Sequence, residues 1–254
     1  KACLENFVTK YKPHIFFMQE HKLQEMHVAD IEKTLKQVLP QYHAYWSCST
    51  GKKGYSGVVT FVHDSIKGEV ISVQDASAFL DNGDDARHEG RVLALELPQA
   101  IFVNSYVPNS GEKLQRLKYR TEQWDDSLAT FLKTLEQSKG KPVILGGDLN
   151  VAYDDMDFFN PQEKRMEKAA GTTPEERASF KSWSSRIEFV DSFRHLHPDA
   201  IHVYTYWSMR AGNRPFNRGL RLDYFIVSKC LLSGQEDVSP KTSGYVFLDD
   251  LTKA

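Results

Sequence analysis

The sequence predicts a mixed α/β fold, on two observations. Short apolar runs rich in β-branched and aromatic residues recur along the chain, and stretches with apolar residues at helical spacing lie between them. The 254 residues contain no internal repeat at a solenoid period and no Gly/Ser linker, so a single domain over residues 1–254 is the economical reading.

The elements follow in order. Cys3, Phe7, Val8 and Tyr11 sit at helical spacing until Pro13 stops the helix, and Ile15 to Met18 reads as a buried strand. Met26, Ile31, Leu35 and Val38 predict a second helix. Strands are expected at Tyr42–Trp46, Val58–Val62, Val70–Val73, Val92–Leu97 and Ile101–Val107. Leu117, Thr121, Trp124, Leu128, Phe131 and Leu135 mark a long helix ended by Gly140 and Pro142, before the strand Val143–Leu145. Thr173-Pro174-Glu175-Glu176 is a capping box with proline at the first helical position, and the helix it opens buries Phe180, Trp183 and Ile187. The last strands are expected at Val203–Trp207 and Leu222–Val227. Polar stretches fall at Asp81–Glu89 and Pro161–Gly171.

Composition narrows the function classes. With 41% hydrophobic and 26% charged residues, and only 15 Gly and 10 Pro, the chain lies outside the disordered, collagen-like and low-complexity classes. No apolar run approaches the ~18 residues of a membrane span, and the first residues lack a signal-peptide pattern, so neither membrane insertion nor secretion is expected. A formal charge of −2 excludes a globally basic grip on nucleic acid but leaves local patches open. Cys3, Cys48 and Cys230 form no CxxC pair and are odd in number, which fits a reducing compartment.

Several apolar strands run into acids or amides: Gln19-Glu20 after Phe17-Met18, Asp148-Leu149-Asn150 after Gly146-Gly147, and Asp223 before Tyr224-Phe225. Buried carboxylates are costly without a partner, so together they point to a shared cation or a hydrogen-bonded cleft, and oxygen donors favour magnesium or manganese over zinc. Taken singly, each acid is better explained as a turn cap or an ion-pair partner; together they are not. The segment Tyr204, Tyr206, Trp207, Arg210, Arg214, Phe216, Arg218 and Arg221 is basic and aromatic with no acid until Asp223. Arginines fork onto phosphates and aromatics stack on bases or sugars, so it reads either as an element gripping nucleic acid or as a solvated loop. Lys52-Lys53 reads as a charged hairpin tip. No HExxH and no nucleophile triad stands out, and His195 and His197 are expected to be structural.

The chain resembles the exonuclease III-like abasic-site endonucleases of the endonuclease/exonuclease/phosphatase superfamily. The resemblance runs in order along nearly the whole chain: Gln19-Glu20, Gly54-Tyr55-Ser56-Gly57-Val58, Glu89-Gly90-Arg91, Tyr106-Val107-Pro108-Asn109, Gly147-Asp148-Leu149-Asn150-Val151-Ala152, Asp191-Ser192-Phe193-Arg194-His195, Tyr204-Thr205-Tyr206-Trp207 and Arg221-Leu222-Asp223-Tyr224. It implies a four-layer α/β/β/α sandwich of the DNase I-like kind, and a monomeric DNA-repair hydrolase. That enzyme cleaves duplex DNA 5′ to abasic sites with Mg2+ or Mn2+, with 3′-exonuclease or 3′-phosphodiesterase activity as a companion. Glu20 would bind the cation, Asp148 would activate or orient the attacking water, and Asn150 would position water and phosphate. Tyr106 and Asn109 would contact the phosphate. Trp207, Arg210, Arg214, Arg218 and Arg221 would contact DNA, with the loop Ser208–Arg218 entering a groove. Tyr206, Leu220 and Leu222 would line the pocket for the flipped sugar, Leu220 being smaller than the aromatic residue of some relatives. The implied compartment is the nucleus or mitochondrion of a eukaryote or the cytoplasm of a bacterium.

Two family elements have no counterpart. The family opens on a strand with a Trp-Asn-x-(Asn or Asp)-Gly signature that reaches the metal site, and ends on a Ser-Asp-His turn and a strand; this chain runs from Lys1 to Asp249-Asp250-Leu251-Thr252-Lys253-Ala254. The expectation is a chain truncated at both ends, with exposed sheet edges, impaired catalysis, and an Asp223 desolvated and deprived of its histidine partner. The rival readings are a catalytically dead DNA-binding member and a phosphoesterase of the same superfamily acting on lipid or inositol phosphates.

Overall fold

The computed structural model describes residues 2–76 and 88–232. The chain divides into two compact units, Lys1–Pro98 with Phe102–Tyr106, and Gln99–Ile101 with Val107–Ala254. Most of the polar stretch Asp81–Glu89 and all of Asp249–Ala254 lie outside the described residues.

In the first unit α1 (Ala2–Tyr11) packs Leu4 and Val8 inward, and the chain leaves it through Lys12 at φ 45° and Pro13. Strands β1 (Ile15–Gln19), β2 (Tyr42–Ser47) and β3 (Val58–His63) form an antiparallel sheet in the order β1-β3-β2. The central strand β3 is buried from Val58 to Val62, which is why it reads as an unbroken apolar run instead of an alternating one. Helix α2 (Glu25–Val38) brings Leu35 and Val38 onto the same core as Phe16 and Phe61, whose rings stack at 4.5 Å. A short helix α3 (Asp64–Lys67) follows β3. Its end takes the Glu69 and Val70 amides onto the Ile66 and Lys67 carbonyls, so β4 starts two residues later than Val70, at Ser72–Asp75. Strand β4 pairs antiparallel with β5 (Val92–Glu96), which neighbours β6 (Ile101–Tyr106). Val58, Leu93 and Tyr106 pack together.

In the second unit the long helix is interrupted. It runs as α4 (Leu117–Tyr119), a π-helical turn (Arg120–Trp124) and α5 (Asp125–Lys139), and the wide turn occurs where Arg120 sends its guanidinium inward. Gly140 at φ 61° ends it in the left-handed conformation. Strand β7 (Val143–Asp148) pairs with β9 (Asp223–Ser228), which pairs with β8 (Phe189–Asp191), all antiparallel. Helix α6 (Pro174–Arg186) carries the expected capping box, with Thr173 and Glu176 bonding each other's backbone amides. The one-turn helix α7 (Ser192–Leu196) is capped by Asp191.

One expected strand does not form. Val203–Trp207 makes only an isolated bridge between Tyr206 and Leu220, because the Thr205 hydroxyl accepts the Leu222 and Asp223 amides at 3.0 and 3.1 Å and so occupies donors that a ladder would need. Strand β8, α3 and α7 are too short to carry a periodic signal.

Candidate active site

In the first unit Glu20 follows β1 at φ 56°, outside the ladder, and accepts a hydrogen bond from the Tyr106 hydroxyl at the end of β6. Its second oxygen lies 3.5 Å from the Lys22 ammonium. Beneath Tyr106 is Arg91, 1% exposed. The Arg91 guanidinium donates to Glu89 at 2.5 Å, to the Tyr106 carbonyl at 2.9 Å and to the Tyr55 hydroxyl at 3.0 Å, and lies 4.6 Å from the Tyr106 ring centre. The tyrosine is therefore held at its backbone and across its ring. Next to Glu20, the His21 imidazole donates from Nε2 to the Ser47 carbonyl at 3.1 Å and accepts the Leu23 amide at Nδ1, and burial lowers its pKa from the ordinary value. Gly57, at φ 90°, leaves the space that this ring fills; a Cβ there would overlap it.

In the second unit the register of β7 and β9 sets Asp148 opposite Asp223 at the end of the strand pair. Side chains of directly opposed residues share a face, so two carboxylates lie side by side there. The backbone then turns through Asn150 at φ 49°, and the Asn150 amide donates to Asp148 Oδ1 at 2.8 Å. The Asn150 side chain donates to the Val107 carbonyl at 2.8 Å and accepts from Asn109 Nδ2 at 3.0 Å. Asp148, Asn150 and Asn109 thus form one connected group. Asp223 is exposed, so the expected desolvation is corrected: the strand opens at this residue and leaves its side chain in water.

The basic loop is mostly at the surface. Arg210, Arg214 and Arg218 are exposed, Arg214 stacks on Trp207 at 5.2 Å and Arg218 on Phe216 at 5.5 Å, while Trp207 Nε1 donates to Asn217. Tyr206 is 47% exposed. Leu220 is half-buried, and Leu222 is buried with Ala152 and Phe158, so of the three expected pocket residues only Tyr206 stands fully in the open.

Arg221 does not join the surface arginines. It is 2% exposed, gives two hydrogen bonds of 2.9 Å to Asp157 and one of 2.6 Å to Asp191, and lies 4.3 Å from the Tyr224 ring centre. Asp157 also takes Arg194 at 2.7 Å. The expected role of Arg221 at the DNA surface is corrected for that reason: its charge is consumed by two buried carboxylates.

Sequence patterning passed over Arg120 and Asp157, and gave Thr205 no role of its own. A signal existed for Arg120, which stands three residues after Leu117 and four before Trp124, on the apolar stripe of its helix. None existed for Asp157, one acid among Asp154, Asp155 and Asp157.

Among the described residues no group of three or more His, Cys, Asp or Glu side chains could hold a metal ion. A zinc-like cage is therefore not what these residues offer. Glu20, a solvent-facing single carboxylate with a hydroxyl beside it, fits the mode of magnesium, which keeps most of its water and takes one or two carboxylates.

Comparison with known proteins identifies the family. Residues 1–244 match the Endonuclease/Exonuclease/phosphatase family. The chain is 39% identical over 225 residues to an exodeoxyribonuclease of Bacillus subtilis, spanning 89% of this chain and 81% of that protein. It is 39% identical over 231 residues to the DNA repair nuclease APEX1 of Danio rerio, spanning 90% and 68%. The crystal structure of the AP endonuclease LMAP from Leishmania major superposes with a TM-score of 0.80 at 36% identity, covering 91% of this chain and 74% of that one. The fold is accordingly α/β with two sheets and flanking helices. The chain belongs to the endonuclease/exonuclease/phosphatase family, as a hydrolase of its exonuclease III-like AP endonuclease branch.

Proposed function

We propose that this protein hydrolyses the phosphodiester 5′ to abasic sites in duplex DNA, acting as a monomer, with 3′-exonuclease or 3′-phosphodiesterase activity as a companion. The observation that carries the reading is the opposed pair Asp148 and Asp223, with Asn150 bonded to the first, at the root of the exposed arginine and aromatic loop. Carboxylates at a strand end orient water, and the loop supplies phosphate and base contacts, which is the pairing a nuclease needs.

In this scheme Asp148 accepts a proton from the attacking water while Asn150 orients water and phosphate. Tyr106 and Asn109 donate to the phosphate oxygens as charge develops. Asp223 adds a second carboxylate beside Asp148. Glu20 would hold Mg2+ or Mn2+, which supplies Lewis-acid polarisation of the phosphate when bound. Arg210, Arg214, Arg218 and Trp207 grip the DNA backbone. Tyr206, with Leu220 and Leu222 behind it, receives the baseless sugar, a nucleotide cheap to extrude because it has no base to unstack. The three free cysteines fit a reducing compartment: nucleus, mitochondrion or bacterial cytoplasm. Among the described residues no helix is long and apolar enough to cross a membrane.

The test is incision of a duplex carrying one abasic-site analogue, with magnesium and with chelator. Magnesium-dependent product with a break 5′ to the lesion is expected. Salt-sensitive DNA binding without turnover would replace this reading with that of a binding member, and preference for a soluble phosphate monoester would replace it with that of a phosphoesterase.

A further inference from the structure

Arg120 is a buried cation that the scheme above does not use. It is 1% exposed and opens the π-helical turn Arg120–Trp124. Such turns are rare and concentrate at functional sites. Its Nη1 donates to the Asn150 carbonyl at 2.6 Å and its Nη2 to the Leu149 carbonyl at 2.6 Å. Successive carbonyls of an extended strand point to opposite edges, so one guanidinium takes both only once the strand has ended, and Asn150 at φ 49° lies just beyond that end. A non-glycine residue in this conformation persists when its surroundings over-determine it.

The cation is itself held from behind. Arg120 Nη1 lies 3.4 Å from Glu176 Oε1 and Nε lies 4.0 Å from Asp125. Glu176 is fully buried and accepts from Ser110 at 2.5 Å, from the Gly171 amide at 2.7 Å and from the Thr173 hydroxyl at 2.8 Å. The capping-box glutamate of α6 therefore has a second role: its other oxygen braces the arginine. The line runs from Glu176 through Arg120 to the Leu149 and Asn150 carbonyls, and from the Asn150 amide to Asp148.

The geometry points to Arg120 as a positioning residue: its fork clamps the Asp148–Asn150 turn and so sets where the Asp148 carboxylate and the Asn150 amide stand. This rests on the reading that those two groups act on water and phosphate. Lysine cannot replace it, because a point donor on a flexible stem does not span two carbonyls.

The test compares wild type with Arg120→Lys and Arg120→Ala, by single-turnover and steady-state incision and by NMR hydrogen exchange at the Asn150 amide. The expected result for Arg120→Lys is a fall in kcat of about 100-fold, the cost of a small misplacement, with KM within about threefold. Ethylguanidinium added to Arg120→Ala should restore part of the rate, and in Arg120→Lys the Asn150 amide should exchange faster while that of Leu145 in β7 does not. Wild-type kcat in Arg120→Lys overturns the clamp, as does a loss in Arg120→Ala that ethylguanidinium leaves untouched while every amide exchanges faster together. A wild-type chain silent on abasic DNA would remove the proposed reaction alone; the Asn150 exchange rate then decides the clamp, and unchanged protection in Arg120→Lys overturns it.

Discussion

Tyr106 and Asp148 have different parts in the proposed reaction, and single-atom substitutions separate them. Tyr106→Phe removes one hydroxyl, the donor to Glu20, and leaves the ring over Arg91 in place. The expected loss in single-turnover incision is about 10²–10³-fold, the range for one oxyanion donor. Asp148→Asn keeps an oxygen to accept the Asn150 amide, so the turn survives while the base is lost. A drop of about 10²–10⁴-fold with an unchanged melting temperature is expected; retention of more than a tenth of the rate would exclude Asp148 as the base. Cys48 illustrates a buried group with no chemical task. Burial, with Glu25 and Asp75 nearby, pushes its thiol up to about 12. Its folded pKa is raised, so its contribution to stability is full below the ordinary thiol value of 9.0 and is lost as pH rises toward 12. In a thiol-reagent titration at pH 8, exposed Cys3 should react at once and Cys48 only on unfolding. Rapid labelling of Cys48 in the folded protein would contradict its burial.

Among the elements, α6 was the most legible, and the helix preceding β7 was legible in its extent but not in its π-helical turn. The capping box at Thr173 is written in four consecutive residues, because a cap depends on local spacing alone. Thr173→Ala should cost about 1–2 kcal/mol by denaturant melt, toward the upper end because Glu176 then keeps fewer donors. Gly140→Ala tests a helix end without a neighbour. No atom lies within 4 Å of the added methyl, so strain at φ 61° is the whole effect, and about 1 kcal/mol is expected. By contrast the π-helical turn had no sequence mark, since it exists to satisfy carbonyls 29 and 30 residues away in the chain. The strand expected at Val203–Trp207 failed for a related reason. Its β-rich composition was correct, but a hydroxyl at Thr205 competes for the amides of the partner segment.

Over the whole molecule the charges sort into two populations that composition cannot distinguish. The net charge of −2 conceals a surface set, Arg210, Arg214 and Arg218, and an internal set, Arg91, Arg120 and Arg221. Replacing Arg210 or Arg218 by Ala should weaken DNA binding across sequences and lower the slope of log K against log salt by about 0.9 for each phosphate no longer neutralised, with stability unchanged. Replacing Arg221 by Met should do the reverse. It takes the ion pair from buried Asp191 and leaves Asp157 with Arg194 alone, so a stability loss of about 3–5 kcal/mol is expected. A folded Arg221→Met protein with normal stability and reduced salt slope would return Arg221 to the DNA surface.

Local rules brought most helices and strands within reach, because helical spacing, proline stops, capping boxes and apolar runs act over a few residues. They also marked Glu20, Asp148, Asn150 and Asp223 as polar residues abutting apolar strands, and the ordered motifs tied those to one family. What spacing could not reveal is which of several chemically identical side chains are buried. Arg218 and Arg221 stand three residues apart in one basic run, yet one faces water and the other two carboxylates. The Arg221 amide donates to the Asp157 carbonyl at 2.7 Å just ahead of β9, which holds the segment against Asp157, and its side chain reaches Asp157 and Asp191. The pairing of Asp148 with Asp223, and the clamp of Arg120 on the turn between β7 and α6, arise in the same way: they join residues distant in the chain, and only packing brings such residues within hydrogen-bond reach.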